Sequence, residues 1–342
     1  MIRKESITAH IAIRVEESSQ VGEARRIASM LAFEAGFGET EAGKVAIIAT
    51  ELATNLLKHA THGEILVRIV EEHQNRGIEI LALDKGKGIA DLQQSLEDGF
   101  STSGTRGNGL GAIKRLAHFF DVYTAPRAGT VIVVRVWTKP PKHVSRDRLE
   151  YGVICRPITG EEVCGDSWAL AQRDPNDLVM VVDGLGHGLN AADAAYAALG
   201  VFREHKGSSI MEILELAHGA LRSTRGAAMA IAEISNHDGL LRFTGAGNIA
   251  ATILANGASR SLVSHNGTVG HQMRRPHEFQ YPWPKGALLI MASDGLLTHW
   301  SLEKYPGLVQ RHPILIAAVL YRDFSRGRDD VTVLVAREKV SS

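Results

Sequence analysis

Acids and glycines of two different chemical kinds fall in separate halves of this 342-residue chain, and that division constrains the fold more than any other feature. The first half carries Glu51-Leu52-Ala53-Thr54-Asn55 and then Asp84-Lys85-Gly86-Lys87-Gly88. The second carries Gly165-Asp166, Asp183-Gly184-Leu185-Gly186-His187-Gly188, Ser293-Asp294-Gly295 and Asp329-Asp330-Val331-Thr332. Between them, Thr138–Arg148 is polar and contains Pro140-Pro141. Proline stiffens the chain and removes a donor, so this stretch reads as a short, semi-rigid linker. The division is residues 1–137 as one domain, 138–148 as linker and 149–338 as a second domain, and the chain is long enough for two cores.

Periodicity supplies the elements. In the first half, Ile7–Val15 alternates as a strand and Val21–Ala35 reads as a helix. In Glu41–Ala60 the residues Val45, Ile48, Leu52 and Leu56 recur at three and four positions, the stripe of an amphipathic helix. Ile65–Glu71, Gly77–Leu83, Asp121–Tyr123 and Thr130–Trp137 read as strands and Leu110–His118 as a helix. Helices on one side of an antiparallel sheet make an α+β layer pair. In the second half, the strands are Tyr151–Arg156, Trp168–Gln172, Leu178–Val182, Ala228–Ile234, Leu240–Thr244, Ala250–Leu254, Leu288–Ala292 and Val331–Ala336. Helices Leu189–Phe202, Ile210–Ser223 and Ile314–Phe324 complete a sheet sandwich flanked by helices.

Glu51 and Asn55 are four residues apart and share a helix face offset from the apolar stripe. An amide oxygen suits a hard cation and a carboxylate can accept a proton from an incoming hydroxyl, so the pair can flank a magnesium-bound triphosphate. Asp84 follows an apolar strand, and Gly86 and Gly88 permit close backbone approach. Gly104, Gly107, Gly109 and Gly111 precede or open the helix from Leu110, where bare amides suit phosphate. In the second half Asp183, Asp294 and Asp329 stand at ends of apolar strands, and burying several carboxylates together calls for cations. Oxygen ligands without a Cys or His cluster point to Mg²⁺ or Mn²⁺, and two such ions can clamp a phosphoryl group.

The first 137 residues resemble the GHKL ATPases, and within them the RsbT-type serine/threonine kinases of bacterial partner-switching modules. The resemblance rests on Glu51–Asn55, Asp84–Gly88, the lid Ser101–Gly111 and Gly129-Thr130. It implies that Asn55 binds magnesium, Glu51 deprotonates a substrate serine or threonine, and Asp84 recognises the adenine amino group beside Thr130. The lid glycines Gly107, Gly109 and Gly111 would wrap the phosphates. Residues 149–338 resemble PP2C-like phosphatases of the SpoIIE and RsbX type, on the acidic motifs and Thr224-Arg225-Gly226-Ala227-Ala228. That resemblance implies that Asp166, Asp183, the Gly184 carbonyl, Asp294 and Asp329 hold two Mn²⁺ or Mg²⁺ ions, with Asp183 and Asp294 central to catalysis. Asp330 competes with Asp329 for the ligand position. His187 reads either as an acid or as part of a helix start, and Arg225 either grips phosphate or makes an ion pair. Asn248 reads as a turn residue near the cleft.

Together the resemblances imply a bifunctional regulator: an ATP-dependent kinase joined to a metal-dependent phosphatase, acting on Ser or Thr of STAS-domain anti-anti-sigma or stressosome-scaffold proteins. A sigma factor or a downstream phosphatase is a further implied partner. One alternative is an ATP-dependent module that sequesters its partner without turnover, joined to an active phosphatase. Another keeps the kinase and makes the second domain a scaffold, against which the intact acids speak. Lys+Arg and Asp+Glu are 38 each, which offers no bulk attraction to nucleic acid or anionic lipid. No apolar run approaches the roughly 20 residues of a membrane helix, and the first residues lack a signal-peptide core, so the expected location is cytoplasmic. Cys155 and Cys164 form no disulfide framework or zinc pattern and read as buried thiols.

Overall fold

The computed structural model describes residues 9–96, 109–140, 147–235 and 237–339. In chain order the elements are β1 (Ile11–Val15), α1 (Ser18–Ala35), α2 (Glu39–His59), β2 (Gly63–Glu72), β3 (Asn75–Asp84), α3 (Leu92–Ser95), α4 (Leu110–Leu116), β4 (Phe119–Thr124), β5 (Thr130–Trp137), β6 (Leu149–Arg156), β7 (Asp166–Arg173) and β8 (Asn176–Gly184). They continue with α5 (Leu189–Glu204), α6 (Ile210–Ala220), β9 (Ala227–Ser235), β10 (Leu240–Ala246), β11 (Ala250–Ala255), β12 (Ala258–Ser261), β13 (Phe279–Pro282), β14 (Leu288–Ala292), α7 (Pro313–Phe324) and β15 (Val331–Glu338). The chain forms two compact units. One comprises His10–Ser145 with Ser301–Arg322; the other comprises Met1–Ala9, Arg146–Trp300 and Asp323–Ser342. The units therefore do not follow the sequence halves, because a stretch between Asp294 and Asp329 belongs with the first sheet.

The first unit is built on an antiparallel sheet of order β1-β2-β3-β5-β4. Side chains alternate between its faces. α2 lies on the face of Gly63, where the Leu56 side chain fills the space a Cβ would need. The register Glu64↔Leu83, Leu81↔Val133, Glu79↔Arg135, Phe119↔Arg135 and Asp121↔Val133 puts Glu64, Glu79, Leu81, Leu83, Phe119 and Asp121 on the opposite face. Leu66, Leu81, Leu83, Val131 and Val133 on that face are buried too, so the sheet is covered on both sides and the expected layer pair has a third layer. Ser301–Arg322 supplies contacts there: Tyr321 Oη donates to Glu64 Oε2 at 3.0 Å, and the His312 ring lies 4.9 Å from that of Phe119. On the same face Glu79 is fully buried between Arg68 and Arg135, each at 2.7 Å. Burial alone would raise its pKa, but the two guanidinium groups hold it well below the usual carboxylate range.

The second unit stacks two antiparallel sheets, β13-β10-β9-β8-β7 and β12-β11-β14-β15-β6. On β8, Val179 and Val181 join the cluster that includes Phe243, Leu289, Met291 and Leu334 of both sheets. The alternate residues Leu178, Met180 and Val182 pack with Ala194, Ala198, Phe202 and Leu214 of α5 and α6. That is the period of two expected of a strand with two covered faces. Sequence reading overlooked β12 and β13. β12 is exposed throughout, and β13 is a sheet edge ending at Pro282. The helix expected to reach Ser223 stops at Ala220 and tightens into a 3-10 turn over Leu221–Ser223. Among the described residues, no helix is long and apolar enough to cross a membrane.

Candidate functional site

In the first unit, Glu51 and Asn55 lie half-buried on α2, beside the buried stripe of Val45, Ile48, Leu52 and Leu56. The chain leaving α2 is tied to the end of β3, where the Lys85 N–H donates to Thr61 O at 2.9 Å. Asp84 ends β3 opposite Thr130 of β5. Its Oδ1 accepts the Gly86 N–H at 2.6 Å, and Arg322 Nη1 donates to its main-chain O at 2.9 Å. Burial pushes the Asp84 carboxyl upward, opposed by the Gly86 N–H, by Arg322 and by the backbone and hydroxyl of Thr130. Thr130 Oγ1 lies 3.3 Å from Thr124 Oγ1, which accepts the Ile89 N–H at 2.8 Å and so joins the turn containing Gly88 to this corner. Gly129 has φ +70°, and a Cβ there would overlap Asp84 O, so the hairpin crosses β3 only as glycine.

Gly109 precedes α4 and Gly111 is buried in its first turn; α4 packs against α2. A Cβ on Gly109 would meet nothing within 4 Å. Gly104, Gly107 and the rest of the lid before Gly109 lie outside the described residues.

In the second unit, four sequence-distant acids meet at one end of the sandwich. Asp166 opens β7 directly opposite Asp183 near the end of β8. Asp183 shares strand parity with Val179 and Val181, so it faces between the sheets. Asp294 follows β14 and Asp329 precedes β15. The Asp294 N–H bonds Asp183, yet burial together with repulsion from Asp294, Asp329 and Asp330 raises the Asp183 pKa to about 7. Burial and Asp183 push Asp166 well above the carboxylate range, and burial and Asp329 raise Asp294 despite Arg326 and Asn248. An all-oxygen donor set that resists its own ionisation is matched by hard divalent cations. Gly184 is buried under α5, where a Cβ would overlap Ala191 O.

Asp330 plays a different part from Asp329. Its two oxygens accept the N–H groups of Ile158 at 2.6 Å and Gly165 at 2.7 Å, anchoring the loop that delivers Asp166. Of two further contributors, Ser293 carried no assigned role in the sequence reading and Asn248 only that of a turn residue near the cleft. Ser293 Oγ donates to Asp166 Oδ2 at 2.6 Å and accepts the Thr332 N–H at 2.9 Å. Asn248 Nδ2 donates to Asp294 Oδ2 at 2.8 Å, which is more than a turn residue does. The Ser-Asp-Gly triplet was the available signal for Ser293. His187 pairs with Glu161 at 2.8 Å and is largely exposed. Arg225 is exposed near Gly186. Cys155 and Cys164 are buried and unbridged, with their sulfurs 3.7 Å apart.

Fold and geometry define a GHKL-type ATPase unit joined to a PP2C-like phosphatase unit. Residues 15–136 match the Histidine kinase-like ATPase domain family, and residues 174–339 match the Stage II sporulation protein E (SpoIIE) family. The Bacillus subtilis (strain 168) serine/threonine-protein kinase RsbT is 34% identical over 127 residues, 37% of this chain and 96% of that protein. The phosphoserine phosphatase RsbX of the same organism is 24% identical over 138 residues, 40% of this chain and 69% of that protein. A solved structure of the bacterial stressosome, described as a modular system adapted to control secondary messenger signaling, is 27% identical with a TM-score of 0.53, covering 56% of this chain and 100% of that chain. The chain belongs to the RsbT family through its first half, fused to a SpoIIE-type PP2C domain. Its two domains are of the kinds that serve partner-switching regulation.

Proposed function

We propose that this protein sets the phosphorylation state of a STAS-domain protein in both directions. The observation that carries this reading is the convergence of Asp166, Asp183, Asp294 and Asp329 in a chain whose other unit holds Glu51, Asn55 and Asp84 in the order of an RsbT-type kinase. In the ATPase unit, Asn55 offers its amide oxygen to Mg²⁺ and Asp84, supported by Thr130, accepts from the adenine amino group. Gly86 and Gly88 shape the turn beside it, and Gly107, Gly109 and Gly111 let backbone amides reach the phosphates. Glu51 takes the proton of the attacking serine or threonine hydroxyl. In the phosphatase unit, Asp166, Asp183, the Gly184 carbonyl, Asp294 and Asp329 would hold two Mn²⁺ or Mg²⁺ ions. Bound there, the ions supply positive charge for the phosphoryl oxygens and acidify water. Ser293 and Asn248 orient Asp166 and Asp294, and Asp330 holds the loop in place. A cytoplasmic location follows from partners of this kind.

The test is a time course of phosphorylation of a purified STAS-domain protein, with Mg-ATP and Mn²⁺. Wild type gives a partial or transient level, Asp183→Asn a high plateau, and Glu51→Gln net removal from a pre-phosphorylated sample. Glu51→Gln lowers phosphotransfer by roughly 10²–10⁴ while ATP still binds. Parental phosphotransfer in Glu51→Gln would move the base elsewhere. Equal plateaus for wild type and Asp183→Asn would assign the phosphatase a different target.

A further inference from the structure

Ser301–Arg322 lies in sequence between two acids of the phosphatase unit, yet it forms part of the ATPase unit. Its anchors are distributed along the sheet face opposite α2. Arg311 Nη1 and the His312 N–H both meet the Asp121 carboxylate at 3.4 Å, His312 stacks obliquely on Phe119, and Tyr321 bonds Glu64. The segment ends at Arg322, whose Nη1 donates to the Asp84 main-chain O at 2.9 Å. By strand alternation the Asp84 side chain points to the other face, with Ile80 and Ala82, toward the side of α2 and Thr130. Arg322 therefore holds the backbone of Asp84 from behind while the carboxylate faces forward.

We propose that Arg322 is a positioning residue of the nucleotide site: its grip on the end of β3 fixes the Asp84 carboxylate for adenine, so a segment set between phosphatase acids completes the ATP site. This rests on the reading of Asp84 as the adenine-recognising group. The location of the contact supports the role. Asp84 is the last residue of β3, beyond it the chain turns through Lys85–Gly88, and a strand end is held only by what is bonded to it. The guanidinium also sets a positive charge behind the carboxylate that must accept the adenine N–H. A charge-assisted hydrogen bond is among the stronger ones in proteins, and small displacements of a recognition group weaken binding steeply.

The experiment is calorimetric titration of the full chain with Mg-ATP and with Mg-GTP, comparing wild type, Arg322→Lys, Arg322→Met and Asp84→Asn, with thermal midpoints for each. Arg322→Met is expected to bind ATP roughly tenfold or more weakly, on the scale of one lost charged hydrogen bond, with GTP binding little changed. Arg322→Lys keeps a cationic donor and restores most of the ATP affinity. Wild-type ATP affinity and selectivity in Arg322→Met, with both lost in Asp84→Asn, would overturn the role of Arg322 and leave the nucleotide reading standing. Equal losses for ATP and GTP, or no rescue by lysine, would reduce Arg322 to a packing residue. Unchanged ATP binding in Asp84→Asn would remove the adenine reading and this proposal with it.

Discussion

The acids of the phosphatase unit are arranged at the expense of its stability, and Asp183 allows the effect to be measured. Its pKa moves from 3.8 to about 7, because burial and the carboxylates of Asp294 and Asp329 disfavour its ionised form. One unit corresponds to 1.36 kcal/mol, so at neutral pH the metal-free fold carries a penalty of about 4 kcal/mol relative to an unperturbed aspartate. Because these groups titrate together, the part released by a single substitution is about 2–4 kcal/mol. The sign follows from linkage. The folded-state pKa is raised, so the protonated group contributes stability fully below pH 3.8 and loses it progressively up to about pH 7. Asp183→Asn keeps the acceptor for the Asp294 N–H and removes the charge. In EDTA, urea unfolding should find Asp183→Asn more stable than wild type at pH 8, with a gap that closes toward pH 4. Saturating Mn²⁺ should reverse the order, since two ions, each at a hundred times its Kd and each adding about 2.7 kcal/mol, stabilise only the protein that binds them, by about 5 kcal/mol in all. An Asp183→Asn protein no more stable than wild type at pH 8 in EDTA, or a gap independent of pH, would refute the account of mutual repulsion.

Three further substitutions separate the supporting residues from the converging acids. Asp330→Asn turns an amide donor toward one of two N–H groups, Ile158 or Gly165, and should cost about 1–3 kcal/mol in urea unfolding, whereas Asp329→Asn should not lower stability and should abolish Mn²⁺-dependent hydrolysis. The reverse pattern would make Asp330 the ligand. Ser293→Ala frees the Asp166 carboxylate and leaves the Thr332 N–H without its acceptor, so Mn²⁺ affinity by calorimetry should fall roughly 10- to 100-fold; unchanged affinity would mean that Asp166 is held by other contacts.

Local patterns set most element types, and tertiary or capping chemistry set what the patterns missed. The stripe Val45, Ile48, Leu52 and Leu56 is buried as the period of α2 requires, and it leaves Glu51 and Asn55 at its margin. α1 begins at Ser18 rather than Val21 because the Gln20 side chain accepts the Glu17 N–H at 2.6 Å, extending the helix through residues without an apolar stripe. β12 was hidden by its polar sequence Ala258–Ser261, although Asn256-Gly257 before it is a strong two-residue hairpin signal and both residues have positive φ. Strand ends account for the legibility of Asp183 and Asp294. Their partners Ser293 and Asn248 were obscure because a hydroxyl at a strand end or an amide beside glycine is commonplace, and only the three-dimensional arrangement brings these side chains against Asp166 and Asp294.

The place of Ser301–Arg322 shows where such reasoning stops. β3 is apolar at consecutive positions from Ile80 to Leu83, which demands cover on both faces. α7 is buried continuously from Pro313 to Tyr321, which demands partners all round. Each pattern states a need without naming what meets it. The match between them runs through Tyr321 with Glu64 and Arg322 with Asp84, separated by 257 and 238 residues. No local propensity, cap or period operates over such a distance. The linker at residues 138–148 encouraged a clean cut, since a polar stretch with paired prolines marks a change of chain direction and composition. It carries no information about a later segment that returns to the first sheet. The sequence thus exposed the acids that converge in one unit and the Asp84 turn in the other, because acids at strand ends and glycines in tight turns are local necessities. What it concealed was the dependence of one site on residues encoded beside the other, because that dependence exists only in the packing.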